Sequence, residues 1–311
     1  MEKPEFWALV GPTGIGKTSI SMEVADYFKT PILSVDSMQI YRYMDIGTAK
    51  PSLDEQKRVP HLLIDIVNPD DQFDANSFQT LAWEIINDLK TKNQIPWLTG
   101  GTGFYLKALT DGLFQGVKIP VEFRNSLLQE TKDWSNTQLH ERLGKLDSVA
   151  AQKLHFNDRK RVLRAIEVAE YTGKPLSQWH IEHQQTKTKV NSIVYGLHQE
   201  LPNLYEKINK RVLLMMDSGW IDEVCSLRER GYSQELQSMQ GLGYKRINQY
   251  LDGLIKKDEL VGLISQDTRN YARRQMVWFR SVKNIKWFDV DKYDKPHIIE
   301  SIIMDIQKIH N

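Results

Sequence analysis

Residues 9–21 read LVGPTGIGKTSIS, an apolar run that breaks into glycines and ends on Lys17 and Thr18. Gly11, Pro12, Thr13, Gly14, Ile15, Gly16, Lys17 and Thr18 satisfy G-x-x-x-x-G-K-[ST] at every position. The flanks are those the motif needs, with a strand-like run before it and a helix-favouring run after it. Glycines let consecutive backbone N–H groups turn toward one anion, and the start of a helix adds a partial positive charge. Lys17 supplies a point charge, and the Thr18 hydroxyl can hold Mg²⁺ against phosphate oxygens. The motif therefore predicts a di- or triphosphate site but does not say which reaction follows.

Outward from this loop, short apolar runs alternate with amphipathic segments. FWALV (6–10), PILSV (31–35), HLLIDIV (61–67) and IPWLT (95–99) read as strands. Between the last two, Phe78, Leu81, Ala82, Ile85 and Leu89 recur at helical spacing, with Asp74 as the N-cap. Such alternation predicts a parallel sheet with helices on both faces, an α/β fold of the P-loop NTPase (nucleotide-kinase-like) kind. From about 118 the chain becomes charged and helix-favouring, until SIVYGL (192–197) restores a strand. Residues 118–189 thus read as a helical insertion in a core made of 1–117 and 190–311. Helices at about 203–217, 219–230 and 258–280, a strand at 285–290 and a helix at 297–309 complete the reading.

Composition narrows the class. The 311 residues hold 41 Lys plus Arg and 40 Asp plus Glu, a net charge of +1, so affinity for nucleic acid has to come from local clusters. A single cysteine, Cys225, cannot form an internal disulfide. The histidines lack finger spacing, and His180 and His183 read as surface residues. No run approaches a membrane span, and the first strand starts too early for a leader, so the cytoplasm is the default. Oligomeric state is not readable from these residues; a monomer without an obligate protein partner is the expectation.

Asp36 ends the second strand, with Ser37, Met38 and Gln39 after it. In a parallel sheet the strands' carboxyl ends share one edge, so Asp36 should face the phosphate loop. Helix N-capping is the bland alternative for this aspartate. MDIGTAKP (44–51) and TGGTGFY (99–105), with Thr102, add more apparatus to that edge than a plain ATPase needs. Arg159, Lys160, Arg161 and Arg164 form one basic cluster. Arg269, Arg273, Arg274 and Arg280, interleaved with Tyr271, Trp278 and Phe279, form a second, and SMQGLGYKR (238–246) is a third candidate. Arginine with aromatics suits backbone phosphates and exposed bases, although a solvated helix face is the commoner reason for a charge run.

GPTGIGKT, DSMQIY, MDIGTAKP, GGTGFY, DRKRVLRAIEV, INKRV, MQGLGYK and TRNYARRQMVWFR, in that order, resemble the tRNA dimethylallyltransferases, also called tRNA isopentenyltransferases. The resemblance runs from about residue 5 to 288. Departures are small: Gly14-Ile15 replaces a common Ala-Ser, Asn270 replaces a basic residue, and the zinc finger of eukaryotic members has no counterpart. The resemblance implies transfer of a dimethylallyl group from dimethylallyl diphosphate to N6 of the tRNA adenosine just 3′ of the anticodon. Residues 11–18 would then hold the leaving diphosphate with Mg²⁺ on Thr18. Asp36 would be the base, with Lys17, Thr18, Arg211 and Thr102 assisting. It also implies tRNA contacts from Asp36, Ser37, Met38, Gln39, Thr102, Arg124, Arg159, Lys160, Arg161, Val162, Leu163 and Arg164. Further contacts would come from Gln240, Gly241, Leu242, Gly243, Tyr244, Lys245, Arg269, Arg273, Arg274 and Arg280. A nucleoside or small-molecule kinase, consuming ATP, and a non-catalytic RNA-binding module are the alternatives.

Overall fold

The computed structural model describes residues 4–113, 119–186 and 190–310. The chain divides into two compact units, Met1–Thr110 with Val190–Asn311, and Asp111–Lys189. The expected boundary at 117/118, and Lys189 of the one at 189/190, fall outside the described residues.

The first unit begins with β1 (Phe6–Val10), α1 (Lys17–Phe28), β2 (Ile32–Val35), α2 (Leu53–Arg58), β3 (His61–Leu62), α3 (Ala75–Thr91), β4 (Trp97–Gly100) and α4 (Gly103–Asp111). The second unit is helical: α5 (Val121–Glu130), α6 (Asn136–Leu146), α7 (Ser148–Lys153), α8 (Arg159–Thr172) and α9 (Leu176–Thr186). The first unit then resumes with β5 (Ser192–His198), α10 (Leu201–Asp217), α11 (Trp220–Glu229), α12 (Tyr244–Leu251), α13 (Lys257–Ser281), β6 (Ile285–Asp289) and α14 (Lys295–His310).

The six strands form one sheet in the order β3-β2-β4-β1-β5-β6, and every pairing is parallel. Helices cover the central strands on both faces, which is why β1 reads as an unbroken apolar run and is buried throughout. Trp7 and Trp97 are register partners and are fully buried. Ile298, Ile302 and Ile306 of α14 make a buried stripe at four-residue spacing, and α14 packs on α1. Among the described residues no helix is long and apolar enough to cross a membrane.

Two local expectations need correction. The run 61–67 is a strand only at His61–Leu62, because Leu63 and Asp65 adopt φ of 63° and 53° and end the extended backbone. In α3 the buried stripe uses Ile86 in place of Ile85, and Leu81 is exposed. The N-cap is as expected, with Asp74 Oδ1 accepting from Ser77 N at 2.9 Å.

Register fixes the site. Gly100 pairs with Val10 on one side and Val35 on the other, so Gly11, Gly101 and Asp36 follow three adjacent strands at one sheet edge. Strand spacing near ~4.8 Å sets the Asp36 and Gly11 backbones about 10 Å apart across that edge.

The helical unit has its own core of Leu127, Leu139, Leu143, Val162, Ala165 and Ile166. Its charges are largely spent internally. Glu167, 4% exposed, accepts from Arg124 Nε at 2.6 Å and Arg164 at 2.7 Å, while Arg142 joins Glu130 and Glu170.

Two glycines should respond oppositely to a methyl group. A Cβ on Gly100 would lie 2.0 Å from the Val35 carbonyl oxygen of the neighbouring strand, whereas one on Gly262, in α13, meets nothing within 4 Å. Gly100→Ala is expected to destabilise the protein by about 2 kcal/mol or more, and Gly262→Ala to stabilise it by about 0.5–1 kcal/mol, as read from urea unfolding midpoints.

Candidate active site

The glycine loop is shaped by backbone that only glycine adopts readily. Gly14 and Gly16 have φ of 80° and 102°, and a Cβ on Gly14 would strike Ile208 at 2.9 Å. Lys17 opens α1, and its ammonium donates to the carbonyls of Gly11 at 2.9 Å and Pro12 at 2.8 Å. Thr18 and Ser19 follow in the first turn, exposed. One cavity here is lined by Gly14, Gly16, Lys17, Thr18, Lys207 and Arg211.

Arg211 also lines a second cavity of about 330 Å³, at the small end of ligand pockets. Its polar side carries Thr13, Asp36, Ser37, Thr268 and Tyr271. Its apolar side carries Met38, Ile208, Val212, Met215, Trp220 and Leu242. Arg211 therefore joins the glycine loop to Asp36. Desolvation and the neighbouring Arg211 push the Lys17 pKa down to about 7, with Asp36 opposing the shift. The Arg211 pKa is lowered by burial and held up by the same Asp36.

Both readings of Asp36 hold in part. Its Oδ1 accepts from the backbone N–H of Met38 at 2.8 Å and Gln39 at 3.3 Å, as a cap would, but a turn follows and no helix. Oδ2 accepts no hydrogen bond among the described residues. One oxygen thus fixes the carboxylate, leaving the other able to act as a base. Thr102 Oγ1 accepts from Ser37 N at 3.0 Å, locking the turn after β4 to the turn after β2. Burial raises the Tyr271 pKa to about 12, so it is a neutral phenol, with its hydroxyl against Thr102 and Gln275.

Several expected contact residues have other duties. Gln39 is a brace: its Oε1 accepts from Ser34 at 2.9 Å and its amide donates to the Thr48 and Ala49 carbonyls at 3.3 Å. Gly243 and Tyr244 are buried. A Cβ on Gly243 would meet Trp220 at 2.0 Å, and the Tyr244 hydroxyl donates to Glu223 at 2.7 Å. Gln240, Gly241 and Leu242 do line the second cavity, and Lys245 is exposed.

The two arginine clusters differ. In the helical unit, the Val162 side chain is fully buried and Leu163 packs against the core, so both side chains help hold the unit together. Arg159 donates to the Trp134 and Thr131 carbonyls at 2.7 Å, Arg161 pairs with Asp158, and Arg124 and Arg164 share Glu167. Lys160 is exposed. On α13, Arg269 donates to Asn209 at 2.6 Å and Arg274 lies 5.9 Å from the Tyr271 ring. Arg273 and Arg280 are exposed, with no ion pair among the described residues.

The sequence reading missed three groups. Lys207 stands one turn before Arg211 beside the glycine loop, a spacing that could have revealed it. Gln275 joins the glycine loop to the turn after β4. Glu223 accepts from the backbone N–H of Asp45 and Ile46 at 2.7 Å and Gly47 at 3.1 Å, so the 44–51 segment is held to α11. Nothing in local sequence marks the last two.

Comparison with known proteins gives consistent results. The family model described as IPP transferase matches residues 39–282. The tRNA dimethylallyltransferase of Acetivibrio thermocellus is 43% identical over 96% of this chain and 95% of its own, and that of Carboxydothermus hydrogenoformans 43% identical over 96% of each. The crystal structure of a tRNA delta(2)-isopentenylpyrophosphate transferase from Staphylococcus epidermidis superposes with a TM-score of 0.72 at 37% identity, covering 98% of this chain and 99% of that one. A eukaryotic dimethylallyltransferase, solved acting on tRNA, superposes with a TM-score of 0.81 at 26% identity, covering 96% and 79%.

The lowered Lys17 pKa has a measurable sign. Above about pH 7 the free side chain is mostly neutral, and an adjacent diphosphate favours its ammonium form, so binding at about pH 8 draws in a proton. Calorimetry of inorganic diphosphate binding, in buffers of differing ionisation enthalpy, is expected to read close to one more proton taken up by the wild type than by Lys17→Met. Near about pH 6 the two counts should converge.

Proposed function

The chain belongs to the IPP transferase family, and on that premise we propose that its two cavities together serve the transfer of a dimethylallyl group from dimethylallyl diphosphate to N6 of the adenosine just 3′ of the anticodon. The enzyme is a prenyltransferase acting on tRNA. The observation that carries the assignment of roles is that Arg211 lines both the glycine-loop cavity and the cavity of Asp36. In this reading one guanidinium borders both the leaving group and the base.

The N6 lone pair is delocalised into the purine ring and is a weak nucleophile. It attacks the allylic carbon as the bond from that carbon to the diphosphate oxygen breaks, and Asp36 accepts the N6 proton. Such a base contributes roughly 10²–10⁴-fold. The departing diphosphate gains charge, which Lys17, Lys207, Arg211 and the loop N–H groups offset in a site already poor in water. The Thr18 hydroxyl is exposed in the first turn of α1, and the described residues contain no cluster of three acidic, histidine or cysteine side chains. Thr18 is the residue that would hold Mg²⁺ here, and the ion would supply further neutralisation of the leaving group.

The adenine must leave its stack to enter, at a cost of a few kcal/mol. Ser37, Met38, Gln240, Gly241 and Leu242 line the cavity it would occupy. Arg273, Arg280 and Lys245, exposed and on the same unit, are the proposed phosphate contacts, with Lys160 of the helical unit. A monomeric enzyme of the cytoplasm is the proposed setting. A nucleoside kinase would share the glycine loop but would consume ATP.

Labelled dimethylallyl diphosphate incubated with an anticodon stem-loop tests the reading directly; label appearing in the RNA supports it, and ATP consumption without label transfer replaces it with the kinase. Asp36→Ala is expected to bind the stem-loop normally and to lose about 10²–10⁴-fold in turnover, so near-normal turnover removes Asp36 as the base. Replacing Arg273 and Arg280 by Gln is expected to weaken stem-loop binding and to reduce its salt slope by about 0.7 for each lost phosphate contact. A slope identical to wild type would mean that these arginines are only solvated.

A further inference from the structure

Gln275 lies on α13, is 7% exposed and spends both ends of its amide on backbone. Its Oε1 accepts from Thr13 N at 2.9 Å, inside the glycine loop, and its Nε2 donates to Gly101 O at 2.7 Å, in the turn after β4. The approach is tight, since a Cβ on Gly101 would lie 2.4 Å from that same nitrogen. Around it the contacts continue: the Tyr271 hydroxyl, one turn earlier on α13, meets both Gln275 and Thr102, and Thr102 accepts from Ser37 N beside Asp36.

Two consequences follow from this geometry. The Thr13 N–H points at a side chain, so it is not one of the donors that cradle phosphate. The loop and the Asp36 turn, which stand on strands separated by β4, are cross-tied through Gln275, Gly101 and Thr102. Hydrogen bonds along the sheet fix the strands, but the loops beyond the strand ends need their own ties.

We propose that Gln275 is a positioning residue that sets the distance between the diphosphate held on residues 11–18 and the adenine amine facing Asp36. The inference rests on the transferase reading above and deepens it. Gln275 contacts neither substrate in this scheme. Its loss should leave each substrate bound and misplace the reacting atoms, and a displacement near 1 Å can cost about 10²-fold in rate.

The test compares wild type with Gln275→Met, which keeps the length and volume and makes neither hydrogen bond, and Gln275→Glu, which keeps the acceptor for Thr13 N and turns a carboxylate oxygen toward Gly101 O. Single-turnover transfer from dimethylallyl diphosphate to an anticodon stem-loop is measured at saturating concentrations. Affinities for inorganic diphosphate and for the stem-loop are measured separately. The expected result is a fall of about 10–100-fold in the single-turnover rate of both variants, with both affinities within about 3-fold of wild type. Unchanged rates overturn the inference. Parallel loss of rate and of both affinities also overturns it, because that is the signature of a merely structural residue. If a variant does not fold, Gly101→Ala, which crowds the same amide, provides the second reading of the same quantities, with the same outcomes deciding. A wild-type protein that transfers no label overturns the transferase reading itself, which separates that failure from this one.

Discussion

Two cations share one poorly hydrated corner of this protein. Lys17 and Arg211 repel each other there, burial penalises both, and the single carboxylate of Asp36 compensates in part. Such an arrangement has a simple electrostatic logic. In the proposed reading a diphosphate supplies the opposite charge where water screens little, so the interaction is worth more than the same contacts on an open surface. The cost is borne by the fold, which must hold two like charges together against their preference for solvent.

What makes that cost bearable is the sheet. An all-parallel arrangement delivers the ends of β2, β4 and β1 side by side, so the carboxylate and the phosphate loop arrive on the same edge without a long connection between them. α10 then brings Arg211 and Lys207 over the loop from the other half of the chain. The helical unit interrupts the sequence between β4 and β5 without interrupting the sheet, because β1 already separates those two strands.

Much of this was legible from the residues. The glycine loop, the strand before it and the carboxylate after β2 are all local patterns, and each is where such patterns place it. Helical spacing marks the stripe of α3, but Ile85 and Ile86 are adjacent apolar residues and only packing chooses between them. Residues 61–67 read as one strand, but Leu63 and Asp65 carry left-handed backbone that β-branched neighbours conceal. Gln275 was out of reach for a different reason. Its partners lie 262 and 174 residues away, and a glutamine beside two arginines reads as solvated until the fold is known. The cluster at 159–164 misled in the opposite sense, since four cations in six residues look available, yet three of them are bound to carbonyls or carboxylates of their own unit.

Glu223 carries a last implication. Its carboxylate sits on three successive backbone amides, at Asp45, Ile46 and Gly47, with the Tyr244 hydroxyl as a fourth donor. Three convergent amides are what an exogenous oxyanion seeks. The protein has filled this one with a stopper of its own, covalently tethered and always at hand. A tethered carboxylate thus keeps these three amides shut to any outside anion, whatever else the sheet edge admits.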